Sequence, residues 1–166
     1  KQRRPVMLVG VWVNITRRKT AELRAAEDRD LFHTLIEHIP DSIYFKNRES
    51  RFVLANTATA NKLGVPTPAD LTGRTDDYFF DQTMSDISRK EEMDIMVTGR
   101  PIRARLHHET WLHKDDSWSQ ISKFPWYGRN GELKGIVGIS SDVTKLVKTE
   151  IKATETARIL EERNRT

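Results

Sequence analysis

Apolar and polar residues alternate with the period of a β-strand in five segments of the central chain. Two come close together, "SIYFK" and "RFVLAN", joined by the turn "NRES", which predicts a hairpin. Three more follow at about 102–113, 118–125 and 132–141, separated by the turns "KDDS" and "YGRNG". Because hairpins join most neighbouring strands, the pattern predicts one antiparallel sheet.

Helical composition and spacing mark the rest of the chain. The segment 17–38 contains no glycine, stops before Pro40 and can be capped by Asn14 or Thr16. Asn56 can cap a short helix that Gly64 ends, and Asp76 or Asp77 can cap the turn after it. The order two strands, helices, three strands therefore predicts an α+β fold, a five-stranded antiparallel sheet with helices on one side and a flanking helix at each end.

Apolar spacing also predicts which sides of two helices are buried. The helix at 81–98 offers an apolar side for the core, made of Met84, Ile87, Met93, Ile95 and Met96. The final helix repeats Leu146, Glu150, Ala153, Ala157 and Leu160 at 4-3-4-3 spacing, which is typical of a short coiled-coil seam. A helix with so narrow an apolar stripe needs a partner helix.

Composition excludes several kinds of chemistry. The chain of 166 residues has no cysteine, which rules out thiol catalysis, thiolate metal sites and cysteinyl–flavin photochemistry and is compatible with a reducing cytoplasm. The net charge of +4 comes from residues 1–30, with eight basic against four acidic side chains, so residues 31–166 are neutral and nucleic-acid binding is not expected. The apolar run 5–13 is too short to span a bilayer, and we expect no membrane contact in this fragment, although its parent protein can still be membrane-anchored.

One phrase occurs twice. "LVGVWVNIT" at 8–16 and "IVGISSDVT" at 136–144 lie 128 residues apart, and each runs into a charged helix. Chance is one explanation, because "VG" among alternating apolar residues is common in strands. The shared transition from strand to helix favours a tandem arrangement of two similar domains.

Three motifs, in this order and spacing, resemble a PAS sensor domain of bacterial signalling proteins. They are "NTA" at 56–58, "GRTD" at 73–76 and the closing "GISSDVT", which is similar to the Asp-Ile-Thr signature joining the last PAS strand to an output helix. The resemblance covers about residues 30–144. It implies that 1–16 is the last strand of a preceding PAS domain or its remnant, 17–38 a connecting and dimerisation helix, 39–144 the PAS core and 145–166 an output coiled-coil helix.

The resemblance implies a regulatory function without catalysis in this fragment. A change in the core would pass through a dimeric coiled coil to an effector in the same chain, such as a histidine kinase or a nucleotide cyclase (a diguanylate cyclase, for example). The signal-transfer junction is assigned to Asp142 and Thr144 and, in the first copy of the phrase, to Asn14 and Thr16. The alternatives are a ligand-free dimerisation scaffold and an FAD- or haem-binding redox or gas sensor.

Residues for a ligand pocket come from aromatic and polar positions. Acidic residues scatter through helices and turns, which predicts solvated positions. His107 and His113 share one parity on their strand and could both face inward, yet the helix from which haem-binding relatives usually take their axial histidine has none. Lys123 faces either outward as an edge residue or inward toward a carboxylate or an anionic ligand. No metal site is predicted, the ligand or cofactor stays open, and the candidate pocket residues are Tyr44, Phe79, Met96, Trp111, Trp118 and Lys123.

Overall fold

A computed structural model of the chain describes residues 16–164. The chain divides into two compact units, residues 1–35 and 36–166. In the first unit the described residues form most of helix α1 (Thr16–His38), whose apolar side chains Leu23 and Leu31 are exposed. The predicted strand at 1–16, with Asn14, lies outside the described residues, apart from Thr16, which begins α1.

The second unit is built on the predicted sheet, and its five strands are all antiparallel. The sheet order is β2-β1-β5-β4-β3, so the first and last strands pair at its centre. The strands are β1 (Ser42–Asn47), β2 (Phe52–Ala55), β3 (Ile102–Glu109), β4 (Ser117–Tyr127) and β5 (Leu133–Asp142). The helices are α2 (Thr57–Leu63), α3 (Gln82–Thr98) and α4 (Thr144–Asn164), with short 3₁₀ turns at Pro68–Leu71 and Asp76–Tyr78.

Asn56 joins the start of the sheet to α2. Its side-chain oxygen accepts hydrogen bonds from the backbone N–H groups of Thr59 and Ile43, both at 3.0 Å. Its amide nitrogen donates to the carbonyl oxygens of Ile36 at 2.8 Å and Asp41 at 2.9 Å. The predicted cap of α2 is therefore confirmed, and because Asn56 is fully buried, each bond forms away from competing water.

Apolar side chains of the inner sheet face pack against the chain that connects β2 to β3. This core comprises Tyr44, Phe52, Ala55, Leu71, Phe79, Phe80, Met84, Ile95 and Ile136. It includes two residues of the predicted inner side of α3, Met84 and Ile95, whereas Ile87 and Met93 are 46% and 51% exposed. The prediction for these two was wrong because polar residues of α3, described below, take the inward positions.

The third strand is shorter than predicted. β3 ends at Glu109, where its pairing with β4 stops at Ser117. The chain then makes a loop in which Trp111 bridges to Phe80, and His113 lies exposed in that loop. Because His113 is not on the strand, the expectation that it shares the inward parity of His107 was wrong.

Gly138 of β5 leaves room for an aromatic ring. It pairs with Tyr44 of β1, and a Cβ atom at this position would lie 2.2 Å from the ring carbon Cζ of Tyr44. Atoms this close must move, and the buried Tyr44 ring is held by Phe52, whose ring centroid lies 5.7 Å away. The glycine of the repeated "VG" phrase is therefore required by packing.

Gly138→Ala should lower the free energy of unfolding by about 1–3 kcal/mol, because the added methyl group overpacks the site. Urea denaturation measures the loss. The matched control is the same substitution in a Tyr44→Leu background, where a smaller penalty is expected because the partner ring is gone. Equal penalties in the two backgrounds would contradict the proposed contact.

Candidate functional site

The inner face of the sheet carries two buried lysines beside its aromatic residues. Lys46 of β1 and Lys123 of β4 are each 1% exposed. Alternation along β1 places Lys46 on the same face as Ser42 and Tyr44, and along β4 it places Lys123 with Ser119 and Ile121. Lys123 therefore faces inward, and the edge-residue alternative was wrong.

Lys46 is held by two carboxylates from different elements. Its Nζ lies 2.7 Å from Asp76 Oδ2, in a 3₁₀ turn, and 2.6 Å from Glu92 Oε1, on α3. Burial works to lower the pKa of the Lys46 ammonium, but the attraction of Asp76 and Glu92 outweighs it and the pKa is raised. Burial likewise works to raise the pKa of Asp76, but the charge and hydrogen bond of Lys46, together with Ser88 and Lys123, outweigh it and the pKa is lowered. Both groups are thus held in their charged forms.

Lys123 is held by residues of α3. Its Nζ lies 3.1 Å from Glu91 Oε2, 3.0 Å from Ser88 Oγ and 3.7 Å from Glu92 Oε1. Glu91 also meets β3, since its Oε1 lies 3.0 Å from His107 Nε2 and accepts from Arg105 at 2.8 Å. Burial would raise the pKa of Glu91, but the hydrogen bond to His107 and the charge of Lys123 lower it to about 2.

We call these residues the α3 cluster: Lys46, Asp76, Ser88, Glu91, Glu92, His107 and Lys123. Ser88, Glu91, Glu92 and Ile95 recur at helical spacing on the buried side of α3. The polar residues were expected on the solvated side, yet they occupy the inward positions because the two lysines opposite need partners.

A second set of contacts, the Lys62 cluster, ties α2 to three strands. Lys62 Nζ donates to Glu109 Oε1 of β3 at 2.7 Å, to Ser119 Oγ of β4 at 2.8 Å and to Ser140 Oγ of β5 at 2.7 Å. The other oxygen of Glu109 accepts from the hydroxyls of Ser117 and Ser119, both at 2.8 Å. Glu109 is only 2% exposed, so these neighbours take the place of water around its carboxylate.

A cavity of about 40 Å³ lies between the two clusters. Polar side chains from both sides reach it, including Tyr44, Lys62, Asp76, Glu109, Lys123 and Ser140, while Phe52, Phe80, Met84 and Ile121 provide apolar walls. Burial, with the nearby carboxylate of Glu92, raises the pKa of Tyr44 well above its usual value, so the hydroxyl group stays protonated. The cavity has room for about three water molecules, and FAD or haem would fit only if the clusters separated.

The junction between the sheet and α4 has hydrogen bonds to both β5 and β4. Asp142 Oδ1, at the end of β5, accepts from the backbone N–H of Thr144 at 2.8 Å. Thr144 Oγ1 in turn accepts from the backbone N–H of Trp118 on β4 at 2.9 Å. Partial burial would raise the pKa of Asp142, but the hydrogen bonds from Thr144 outweigh it and the pKa is lowered.

The predicted pocket residues occupy four different places. Tyr44 and Lys123 line the cavity. Phe79 and Met96 belong to the apolar packing beside it, and Trp111 stacks on Phe80 at 4.2 Å between ring centroids. Trp118 has the opposite parity to Ser119, so it lies on the outer sheet face and stacks on His108 at 4.6 Å. The structure therefore brings two of these residues together and places Trp118 away from the cavity.

Sequence reasoning missed two of the lysines in these clusters, Lys46 and Lys62, and the acidic residues that pair with them. Lys46 sits in "SIYFKN" with the parity of Tyr44, so alternation alone would have placed it inside. Glu92 lies eight positions after the buried Met84, which is helical spacing on α3. Glu109 lies two positions after the buried His107, which is strand spacing on β3. Lys62 gives no such signal, because on a short helix a lysine near the last turn is normally exposed.

Two further observations limit what the described residues can do. Between residues 16 and 164, no set of three histidine, aspartate or glutamate side chains is arranged to hold a metal ion. Within the same range, no helix combines the length and the apolar character that crossing a bilayer requires.

The fold and the sequence together identify the family. A family model described as the PAS fold matches residues 36–148, which is more than half of the chain. The chain therefore belongs to the PAS family, whose members are sensory modules without a catalytic site of their own. The predicted family and fold are confirmed.

Two curated relatives are signalling enzymes. A methanogenesis regulatory histidine kinase, FilI, of Methanothrix harundinacea is 23% identical over 129 residues, and a diguanylate cyclase of Vibrio cholerae is 28% identical over 132 residues. The matches cover 78% and 76% of this chain but 14% of the kinase and 40% of the cyclase. The chain thus corresponds to part of each relative, and the enzymatic activities belong to the whole proteins.

Solved structures share the fold at low identity. The VqmA dimer of Vibrio cholerae has a TM-score of 0.61 at 22% identity, covering 73% of this chain and 52% of that one. The PAS domain of Bordetella pertussis BvgS has a TM-score of 0.57 at 24% identity, covering 78% of this chain and 98% of that one. The second match extends over nearly the whole of that solved PAS domain.

Lys123→Met should lower the free energy of unfolding by about 1–3 kcal/mol, because it removes the buried ammonium from Glu91 and Ser88 while Arg105 still pairs with Glu91. Urea denaturation of the purified chain measures the loss. Lys90→Met, an exposed lysine on the same helix as Glu91, is the matched control and should change stability little. An unchanged midpoint for Lys123→Met would show that the inward pair contributes nothing.

Glu91 should make the domain sensitive to acid. Its pKa is about 2 in the folded chain against 4.5 for the unperturbed group, so its contribution is complete above about pH 4.5 and is lost as pH falls toward 2. In the Glu91→Gln variant the free energy of unfolding should therefore decrease less over that pH range than it does in the unaltered chain. Denaturation at a series of pH values measures the difference. Glu49→Gln, an exposed control, should leave the slope unchanged.

Proposed function

We propose that this chain is a sensory PAS module that converts a change in its buried polar clusters into a change in the direction or pairing of α4. The observation that carries the proposal is the spacing along β5. Ser140 binds Lys62 beside the cavity, and Asp142, two residues later, binds the first residue of α4. Because a strand is stiff over two residues, movement of Ser140 is transmitted to the helix start.

The contacts of Trp118 support the same path from a second strand. Its backbone carbonyl accepts from Val143 N–H at 2.9 Å, and its backbone N–H donates to Thr144. Its neighbour Ser119 carries a hydroxyl of the Lys62 cluster. Two adjacent strands thus carry contacts from the cluster to the junction, which favours a coordinated response over independent motion of one strand.

Exposed apolar residues support a homodimer as the form that reads this movement. Leu146 and Leu160, the two leucines of the 4-3-4-3 seam, are exposed in the single chain, and so is Leu31 of α1. We infer that α4 of one chain pairs with α4 of a second chain as a parallel coiled coil. Two packings of such a pair that differ by a few kcal/mol would suffice for switching.

The effector is inferred from the relatives. Both curated matches are parts of longer signalling enzymes, a histidine kinase and a diguanylate cyclase. We propose that α4 leads to an effector of this kind in the same chain. A cytoplasmic location belongs to the same proposal and is compatible with the absence of cysteine.

Asp142→Ala in the full-length parent protein should uncouple the effector from its signal while leaving the sensor folded, because it removes the bond that orients the first turn of α4. Loss of a helix-capping side chain costs about 1 kcal/mol, which the domain core should tolerate. The measurements are effector activity with and without stimulus and thermal unfolding of the isolated chain.

Asp94→Ala, an exposed aspartate on α3 away from the junction, is the matched control and should keep normal regulation. Retained regulation in the Asp142→Ala protein would contradict the junction assignment. An isolated chain that stays monomeric at high concentration in sedimentation experiments would contradict the dimeric part of the proposal.

A further inference from the structure

Lys62 separates the buried cavity from the surface beside the junction. The cavity and a surface cleft of about 330 Å³ share three lining residues, Ser42, Lys62 and Ser140. The cleft is also lined by Trp111, Lys114, Asp115, Asp142 and Thr144, and Lys114 Nζ donates to the backbone carbonyl of Lys62. The Lys62 side chain lines both spaces and is 17% exposed, so it is the side chain at the boundary between cavity and cleft.

Departure of Lys62 would leave a well-defined vacancy. Its ammonium fills a site of three acceptors, Glu109 Oε1, Ser119 Oγ and Ser140 Oγ, at 2.7–2.8 Å. These match the three N–H donors of a primary ammonium group. Among the described residues Lys62 is the cation in direct contact with Glu109, so its departure would strand a carboxylate that is 2% exposed. An unpaired buried charge is strongly destabilising.

The charge left behind selects the ligand. A neutral or anionic molecule entering the cavity would not compensate Glu109, whereas a second ammonium would restore both the charge and the three hydrogen bonds. The small volume of the cavity, together with the space of the lysine end group, admits an amine of the size of methylammonium to propylammonium.

We propose that the module responds to a small primary amine, whose ammonium group replaces that of Lys62 against Glu109, Ser119 and Ser140. The displaced Lys62 then shares the cleft with Lys114, whose charge already acts on Asp142, and its ammonium competes for the Asp142 carboxylate that accepts from Thr144 N–H. This regulatory step rests on the proposed function, since it assumes that the junction controls α4. The amine site does not depend on that assumption.

Ethylammonium chloride is the probe, added to the purified 166-residue chain in an amine-free phosphate buffer. Calorimetry should detect binding, and the thermal midpoint should rise with ethylammonium concentration. Three controls separate the features of the probe: ethanol has the same size without charge, tetramethylammonium has charge without N–H donors, and sodium chloride matches ionic strength. Equal stabilisation by any control would overturn the proposal.

Two variants test the assigned atoms. Lys62→Ala removes the competing ammonium and should bind ethylammonium at least about tenfold more tightly than the unaltered chain, while Lys90→Ala, the exposed control, should bind as the unaltered chain does. Glu109→Gln removes the compensating charge and should lose binding by about tenfold or more. If Lys62→Ala fails to fold, Glu109→Gln carries the test, and undiminished binding in that variant overturns the proposal.

Hydrogen exchange at the amides of 144–148 separates this inference from the proposed function. Faster exchange in the presence of ethylammonium supports both. Binding without any change in exchange upholds the amine site and contradicts transmission through Asp142. Absence of binding in both the unaltered chain and Lys62→Ala overturns the amine site, whereas the Asp142→Ala experiment still decides the junction independently.

Discussion

Two ammonium groups buried beneath the sheet constrain the rest of the domain. Apolar contacts tolerate sliding and rotation, because burial of apolar surface has no direction. The ion pairs of Lys46 and Lys123 are directional, and they require Asp76, Glu91 and Glu92 to face the sheet at hydrogen-bond distance. The rotation of α3 about its axis and the position of the 3₁₀ turn at Asp76–Tyr78 follow from that requirement.

Such a core is suited to a sensor for an energetic reason. A buried ion pair contributes little net stability compared with apolar residues of the same volume, yet breaking it by removing one partner is costly. A core of this kind resists partial rearrangement but can exchange one complete set of partners for another. In the Lys62 cluster that exchange would occur at Ser140, four residues before the start of α4.

Patterns that depend on neighbouring residues in the chain were readable from the sequence. The alternation in "SIYFK" and "RFVLAN", the cap at Asn56 and the stop at Pro40 are local, and they led to the correct sheet and helix order. The ion pairs join residues far apart in the chain, such as Lys46 with Glu92, so no local pattern names the partner. Trp118 shows a different limit: its aromatic character suggested a pocket, although alternation along β4, a local pattern, places it on the outer face.

The contact between Gly138 and Tyr44 reaches beyond packing. A bare backbone position in β5 and a large ring in β1 occupy one volume, so neither can be exchanged without regard to the other. A side chain at 138 is therefore accommodated best together with a smaller residue at 44. Because the Tyr44 ring also borders the cavity, such a paired exchange would change the shape of the cavity as well as the packing of the sheet.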